Sequence, residues 1–327
     1  MPKDLSVVIP THNRCATLQR TLDALLHQEG APGFQVVVVD DGSTDATQQV
    51  VTTLSMPGGI DMRYIAQPKR GGGAARNWGL REANGEIVLL IDDDIIASPA
   101  LVAEHLRTHA LHPETNTAIL GYVALSPELP STPANLRHAV SNWDSLLDGQ
   151  EVDWRFFLTG NVSVKRSFLL NNNLFFDESL ACFQDTELGY RCWKQGMRII
   201  YNARAPGQHY HDLSFEGALR LNRKYGEALA IVHHKHPELR HELGDYMVFS
   251  WSNGLRRVLH DLLRPAVLNR LVVGGLLLLA RRWQASGRKT PYAVSRRIGN
   301  YYERKGYLRK RRELESIPGG VLKCSAW

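Results

Sequence analysis

A short apolar run, Leu5–Ile9 (LSVVI), closed by Pro10, predicts a first buried strand. Leu18, Leu22, Leu25 and Leu26 then recur at helical spacing. They predict an amphipathic helix over Ala16–Gln28, which Gly30-Ala31-Pro32-Gly33 breaks. Phe34–Val39 (FQVVVV) predicts a second strand, and Thr44 or Asp45 can cap a helix over Ala46–Leu54. A weaker third strand over Met62–Ala66, a helix over Ala74–Ala83 and a fourth strand over Ile87–Ile91 follow. The five apolar residues of that fourth run suit a strand buried on both faces. The order β-α-β-α-β-α-β implies a parallel sheet wound by right-handed crossovers.

After Asp94 the pattern loosens. Pro99–His109 reads as helix, Thr117–Ala124 as strand, and the segment with Pro127, Pro130 and Pro133 as loop. Phe156–Val164 predicts a strand, Asp185–Gln195 a helix, and the chain beyond Phe215 is mostly helical in pattern. Leu271–Ala280 is the longest uncharged apolar run; at ten residues it is too short to span a bilayer, which takes about twenty. Arg264, Arg270, Arg281 and Arg282 bracket it, so a helix there would be apolar on one face and basic on the other.

With 327 residues, 43% hydrophobic and 22% charged, the chain has an ordinary soluble composition and can bury a large core. Cys15, Cys182, Cys192 and Cys324 form neither a disulfide framework nor a zinc pattern, so a reducing cytosolic setting is expected. The start enters a strand almost at once, and no signal peptide is expected. The net charge of +6 is unevenly spread. From Arg281 onward there are 13 Lys/Arg against 3 Asp/Glu, whereas the preceding part carries 26 against 30. The basic tail suits an anionic membrane, a helical cap on the rest of the chain, or a dimer interface. No recognised nucleic-acid module accompanies the charge, and nucleic acid is not an expected partner.

Chemistry enters at strand ends. The fourth strand runs into Asp92-Asp93-Asp94 and the second into Asp40-Asp41. Adjacent carboxylates repel and resist burial unless a cation sits among them, and ligands of open α/β sheets bind at the carboxyl ends of strands. A divalent metal bringing phosphates is one reading; a solvated acidic turn is the other. Gly71-Gly72-Gly73 opens a helix, where backbone can approach an anion or simply turn. Neither GxGxxG after the first strand nor GxxxxGK[ST] occurs, which argues against a dinucleotide-binding Rossmann domain and removes the P-loop.

Taken in order, SVVIPTHNR, VVVVDDGSTDAT, GGGAARNWGL and EIVLLIDDDI resemble the nucleotide-binding half of family 2 glycosyltransferases. The resemblance covers residues 4–235 and is strongest over 4–98. It implies the GT-A fold and inverting transfer from a nucleotide sugar. By this resemblance Pro10, Thr11 and Arg14 lie along the nucleotide, Asp40 hydrogen-bonds the base, and Arg76 packs near the donor. Asp92, Asp93 and Asp94 form the DxD element, with Asp92 near the ribose and Asp94 on the metal. Gly160 and Asn161, in LTGNVSV, lie on the acceptor side. Asp185 is the general base, preceded by Gln184 where the family usually has Glu; that departure leaves the acceptor's identity open. His209 or His211 meets the metal or leaving diphosphate, with His209 preferred. Bland readings also stand: Arg76 as a surface ion pair, Asp185 as a helix cap, and either histidine as structural.

The expected fold class is therefore α/β: a GT-A fold with a mainly parallel central sheet flanked by helices and a helical C-terminal extension. The expected domains are a catalytic domain, 1–235 (1–98 nucleotide-sugar binding, 99–235 acceptor), and a basic extension, 236–327. The expected function is transfer of a sugar, with UDP-sugar the expected donor, to a hydroxyl of a saccharide or lipid-linked saccharide in cell-surface glycan synthesis. Mg²⁺ or Mn²⁺ is the expected cofactor. The expected location is cytoplasmic, peripheral at the inner face of the membrane if the tail binds lipid; packing on the catalytic domain and a homodimer are the other uses of that tail. A sugar nucleotidyltransferase is a rival, but it would carry a glycine-rich loop where this chain has THNRCATLQR. A non-catalytic nucleotide- or sugar-binding protein would have lost the base or the DxD element, and both are present.

Overall fold

Every residue of β1 (Leu5–Thr11) is buried, as an inner strand with covered faces requires. The computed structural model describes residues 3–55, 58–139, 145–240, 242–243 and 266–316. Arg264, Cys324 and the end of the basic tail lie outside these residues. From β1 the chain continues through α1 (Cys15–Leu26), β2 (Gln35–Asp40), α2 (Thr47–Thr53), β3 (Asp61–Ala66), α3 (Gly72–Glu82) and β4 (Ile87–Leu90). This is the alternation read from the apolar runs. Then follow β5 (Ile95–Ala97), α4 (Leu101–Leu111), β6 (Thr117–Leu125), α5 (Pro133–Ala139), β7 (Glu151–Val152), β8 (Val162–Lys165), α6 (Arg166–Asn171), α7 (Gln184–Lys194) and β9 (Arg198–His209). The last helices are α8 (Phe215–Lys235), α9 (Ala266–Ala285) and α10 (Tyr292–Glu315).

The strands form one sheet in the order β3-β2-β1-β4-β8-β6-β9-β5, with β7 paired to β9. Strands β3, β2, β1 and β4 are parallel; β8 runs antiparallel between β4 and β6, and the sheet is mixed from there. Alternate residues serve opposite faces. Val8, Val37, Val39, Val88 and Leu90 pack with Leu80 of α3 and Leu188 and Cys192 of α7. Val7, Ile9, Val36, Val38 and Leu89 pack with Leu18, Leu22 and Leu25 of α1 and Leu101 of α4.

The strand expected over Phe156–Val164 is shorter than its apolar run. Asp153 accepts the Arg155 N–H and caps a 3₁₀ turn, Trp154–Phe156, and the Asn161 N–H closes a second turn on the Leu158 carbonyl at 3.1 Å. These local bonds take backbone groups that a strand would need, so the ladder begins only at Val162.

Two compact units result. The first comprises Met1–Leu129 and His138–His211 and holds the whole sheet; the second comprises Pro130–Arg137 and Asp212–Lys323. Within the second, α8 lies along α10, where Gly226 and Gly306 let the two backbones meet: a Cβ on either would fall within 2.1 Å of a carbonyl oxygen of the facing helix. Leu219, Val273, Ala280 and Ile298 form its core. Among the described residues, no helix is long and apolar enough to cross a membrane.

Candidate active site

Parallel pairing brings the carboxyl ends of β1, β2 and β4 to one edge, with Thr11 opposite Asp40 and Val8 opposite Leu90. The aspartates after β4 therefore sit beside the loop after β1. The cation that the buried carboxylates require is already there: the Arg14 guanidinium lies 2.6 Å from Asp93 and 2.7 Å from Asp94. Thr11 donates to the second oxygen of Asp93 at 2.8 Å, and Thr21 donates to its backbone carbonyl. Asp93, left without a role by sequence, thus ties α1 to the end of β4. Burial pushes its carboxyl up to about 6, with Arg14 pulling down and the Asp94 charge adding to the rise.

Asp94 differs. Burial acts to raise it, but His209, Arg14 and His211 outweigh that and hold it well below the usual carboxylate range. The histidines are placed by β5, which pairs with β9 so that Ile95 faces His209, while the Tyr210 N–H donates to the Asp94 carbonyl at 2.7 Å. His209 Nε2 is 3.4 Å from Asp94 Oδ1 and His211 Nδ1 is 3.5 Å from Oδ2. Burial opposes the protonated form of His209, yet the Asp94 carboxylate raises its pKa. Among the described residues, Asp94 Oδ1 is a buried oxygen with no hydrogen-bond partner. One ligand atom from each of Asp94, His209 and His211 falls within 4.8 Å of the others. An orphaned oxygen beside two imidazoles fits a divalent cation.

A second constellation joins α3 to α7. Arg76 Nη2 lies 2.5 Å from Asp92, and Nη1 donates to Gln184 Oε1 at 3.2 Å. Gln184 Nε2 in turn donates to the Leu180 carbonyl. The glycines before Arg76 make room for this bridge: a Cβ on Gly73 would stand 2.9 Å from Gln184 Nε2, and one on Gly72 3.1 Å from Arg76 Nη1. Asp185 follows Gln184 in the first turn of α7, after Phe183 in a left-handed conformation (φ 59°) that few non-glycine residues adopt. Burial raises the Asp185 carboxyl; the Arg76 charge opposes this and Asp92 adds to it. Thus Arg76 and Asp92 act electrostatically on Asp185, and one network links the triplet to the acidic residue on α7.

Other sequence candidates have internal partners. Asp40 accepts the Ser43 N–H at 2.8 Å and the Tyr64 hydroxyl at 2.6 Å. Its neighbour Asp41 holds the glycine-rich loop, accepting the Arg70 and Gly71 N–H groups at 2.7 and 2.8 Å. Pro10 lies within β1, opposite Val39. Gly160 sits in the turn before β8, where a Cβ would meet only Ile95 at an ordinary 3.7 Å. Asn161 is wholly buried: Oδ1 pairs with His105 at 2.9 Å, and Nδ2 donates to the Ala205 and Tyr122 carbonyls. Its amide is committed to the interior. Sequence patterning does not reveal the roles of Tyr64, Asp41 or Thr21, since each depends on a partner brought in from another element.

A comparison with known proteins bears on this geometry. The model of glycosyl transferase family 2 matches residues 6–168. Validoxylamine A glucosyltransferase from Streptomyces hygroscopicus subsp. limoneus is 32% identical over 253 residues, 67% of this chain and 55% of that protein. The chain spans a little over half the length of the curated relatives it matches first. Among solved structures, a Pyrobaculum calidifontis mannosyltransferase in complex with GDP-Man and Mn²⁺ superposes with a TM-score of 0.61 at 18% identity, covering 95% of this chain and 88% of that one. Staphylococcus aureus TarS in complex with UDP superposes with a TM-score of 0.54 at 18% identity, covering 95% and 92%. The fold is GT-A.

Proposed function

Because the chain belongs to glycosyl transferase family 2, we propose that it is an inverting glycosyltransferase using a nucleotide-sugar donor. The observation that carries this reading is the Asp92–Arg76–Gln184 bridge, which joins the strand-end carboxylates to the helix bearing Asp185. In the reaction, an acceptor hydroxyl attacks the anomeric carbon from the side opposite the leaving group. Asp185 accepts its proton as the new C–O bond forms and the bond to the nucleoside diphosphate breaks. Burial suits Asp185 to this role, since a carboxylate with a raised pKa is a stronger base.

Asp94, with His209, His211 or both, would hold Mg²⁺ or Mn²⁺, which when bound offsets charge on the departing diphosphate. Arg14 would share that task from the other side of Asp94. Pro10, Thr11, Asp40, Arg76, Asp92 and Asp93 belong to the donor side, Asp93 by positioning Arg14. Gly160 and Gln184 belong to the acceptor side, with the Gln184 amide oxygen held in place by the hydrogen bond it accepts from Arg76. The UDP bound by TarS supports a UDP-sugar donor, and GDP-Man in the mannosyltransferase makes a guanine nucleotide the first alternative to test. We assign the acceptor to saccharides or lipid-linked saccharides of cell-surface glycans. For the second unit we propose contact with an anionic membrane surface. Leu271 and Leu278 of α9 are 68% and 65% exposed, on the face opposite Val273 and Ala280, and Arg270 and Arg282 flank them.

Incubation of the protein with Mn²⁺ and a panel of UDP-, GDP- and dTDP-sugars tests the reading. Slow release of nucleoside diphosphate from one donor, abolished by chelation, is the expected result. Release from none would contradict it.

A further inference from the structure

At the other end of α7 from Asp185, a cleft of about 510 Å³ opens between β7, the turn Trp154–Phe156 and the start of β9. Its wall carries Trp193, which is 51% exposed although it is among the largest apolar side chains. The indole is held from behind. Its ring stacks on Tyr190 with centroids 6.1 Å apart and planes 26° apart, and Tyr190 packs against buried Trp154 at 5.2 Å. The indole thus rests against a fixed aromatic pair while about half of it stays open to solvent.

The lining is polar but charge-balanced. Arg198 pairs with Glu151 at 2.8 Å, and Asp153 is neutralised by the neighbouring Arg155 at 2.6 Å. Each carboxylate has a guanidinium partner, so neither pair leaves a net charge to attract an ion. A concave site with one exposed aromatic platform and paired polar groups matches the two chemistries of a pyranose: an apolar C–H face and an equatorial belt of hydroxyls.

We propose that this cleft binds a neutral oligosaccharide, stacking a pyranose ring on Trp193 and engaging hydroxyls through Arg198 and Glu151. Trp193 lies eight positions along α7 from Asp185, which is about 12 Å along the helix. The cleft would therefore hold a part of a saccharide acceptor remote from the reacting hydroxyl, and so this assignment rests on the glycosyl-transfer reading.

The test uses the full chain with maltohexaose, cellohexaose and chitohexaose as probes, read by tryptophan fluorescence and saturation-transfer NMR. At least one probe binds the wild type. Trp193→Ala weakens that binding by about tenfold, and Trp193→Phe keeps most of it. Both variants retain the far-ultraviolet circular dichroism and the Mn²⁺-dependent donor hydrolysis of the wild type. Binding of none of the three probes, or equal affinity in Trp193→Ala, overturns the cleft assignment while donor hydrolysis persists. Absence of donor hydrolysis in the wild type instead overturns the reading on which it rests.

Discussion

Arg14 donates to Asp94 across 2.7 Å, so the carboxylate we propose as a metal ligand already carries a protein cation on one oxygen. Its other oxygen, Oδ1, is buried without a hydrogen-bond partner among the described residues. The two halves of one carboxylate are therefore unequal: Oδ2 is paired with the Arg14 guanidinium, whereas Oδ1 faces the His209 imidazole at 3.4 Å.

Removing Arg14 should expose this division. Arg14→Gln leaves two carboxylates, 4% and 3% exposed, without their shared cation. Losing one partner of a buried ion pair costs about 3 kcal/mol. A drop in Tm that millimolar Mn²⁺ largely restores is the expected outcome of thermal scans with and without metal. An unchanged Tm would mean that Arg14 does not neutralise the pair.

Gly73→Ala probes the bridge between α3 and α7. The new Cβ would sit 2.9 Å from Gln184 Nε2, so Gln184 must shift, and with it Arg76 and the turn leading to Asp185. Displacements of about 1 Å near a reacting group cost up to about a hundredfold in rate. Donor turnover should fall by about tenfold or more while nucleoside diphosphate affinity changes little. Equal loss of both would assign Gly73 to phosphate binding instead.

Stability should fall with acid before most carboxylates titrate. His105 bonds Ser163 and Asn161, and His109 bonds Ser163; both are buried. Burial lowers His105 from 6.5 to about 4, partly offset by the Asn161 hydrogen bond and the Glu104 charge. It also lowers His109 to about 3, helped by the charges of His105, Lys165 and His112. The fold keeps both neutral, whereas the unfolded chain protonates them below 6.5, so their contribution is full above that pH and is lost as pH falls toward 4. His233, lowered by burial to about 4, adds to this loss. His209, raised by Asp94, and Asp93 and Asp185, raised by burial, work the other way; the three lowered histidines begin to act at 6.5, above the point where Asp93 does. The slope is about 1.4 kcal/mol per pH unit for each such histidine. Thermal scans from pH 7 to 5 should show a steady fall in Tm; a flat profile would contradict the neutral assignment.

The first, second and fourth strands were legible because each is a contiguous apolar run closed by turn residues, the third less so because Arg63 interrupts it; parallel pairing then sets their carboxyl ends on one edge. The triplet, Arg76 and Asp185 were legible as members of motifs. What escaped was pairing across distance. Asn161 looks like an acceptor residue in LTGNVSV, yet its partners His105 and Ala205 are 56 and 44 positions away, and burial among them is not encoded in local periodicity. The glycine run admitted an anion-binding reading because its other explanation, space for Gln184, lies on α7. The strand expected from Phe156 failed for a local reason that was on the page: Asp153 can cap a turn two residues on.

The central claim is that Asp185 removes the proton from the attacking hydroxyl. It is tested most directly by comparing Asp185→Asn with the wild type in Mn²⁺-dependent turnover of the donor found in the panel, alongside calorimetric binding of its nucleoside diphosphate. Turnover should fall by about 10²- to 10⁴-fold, with nucleotide affinity nearly unchanged. Wild-type turnover in Asp185→Asn would contradict the claim.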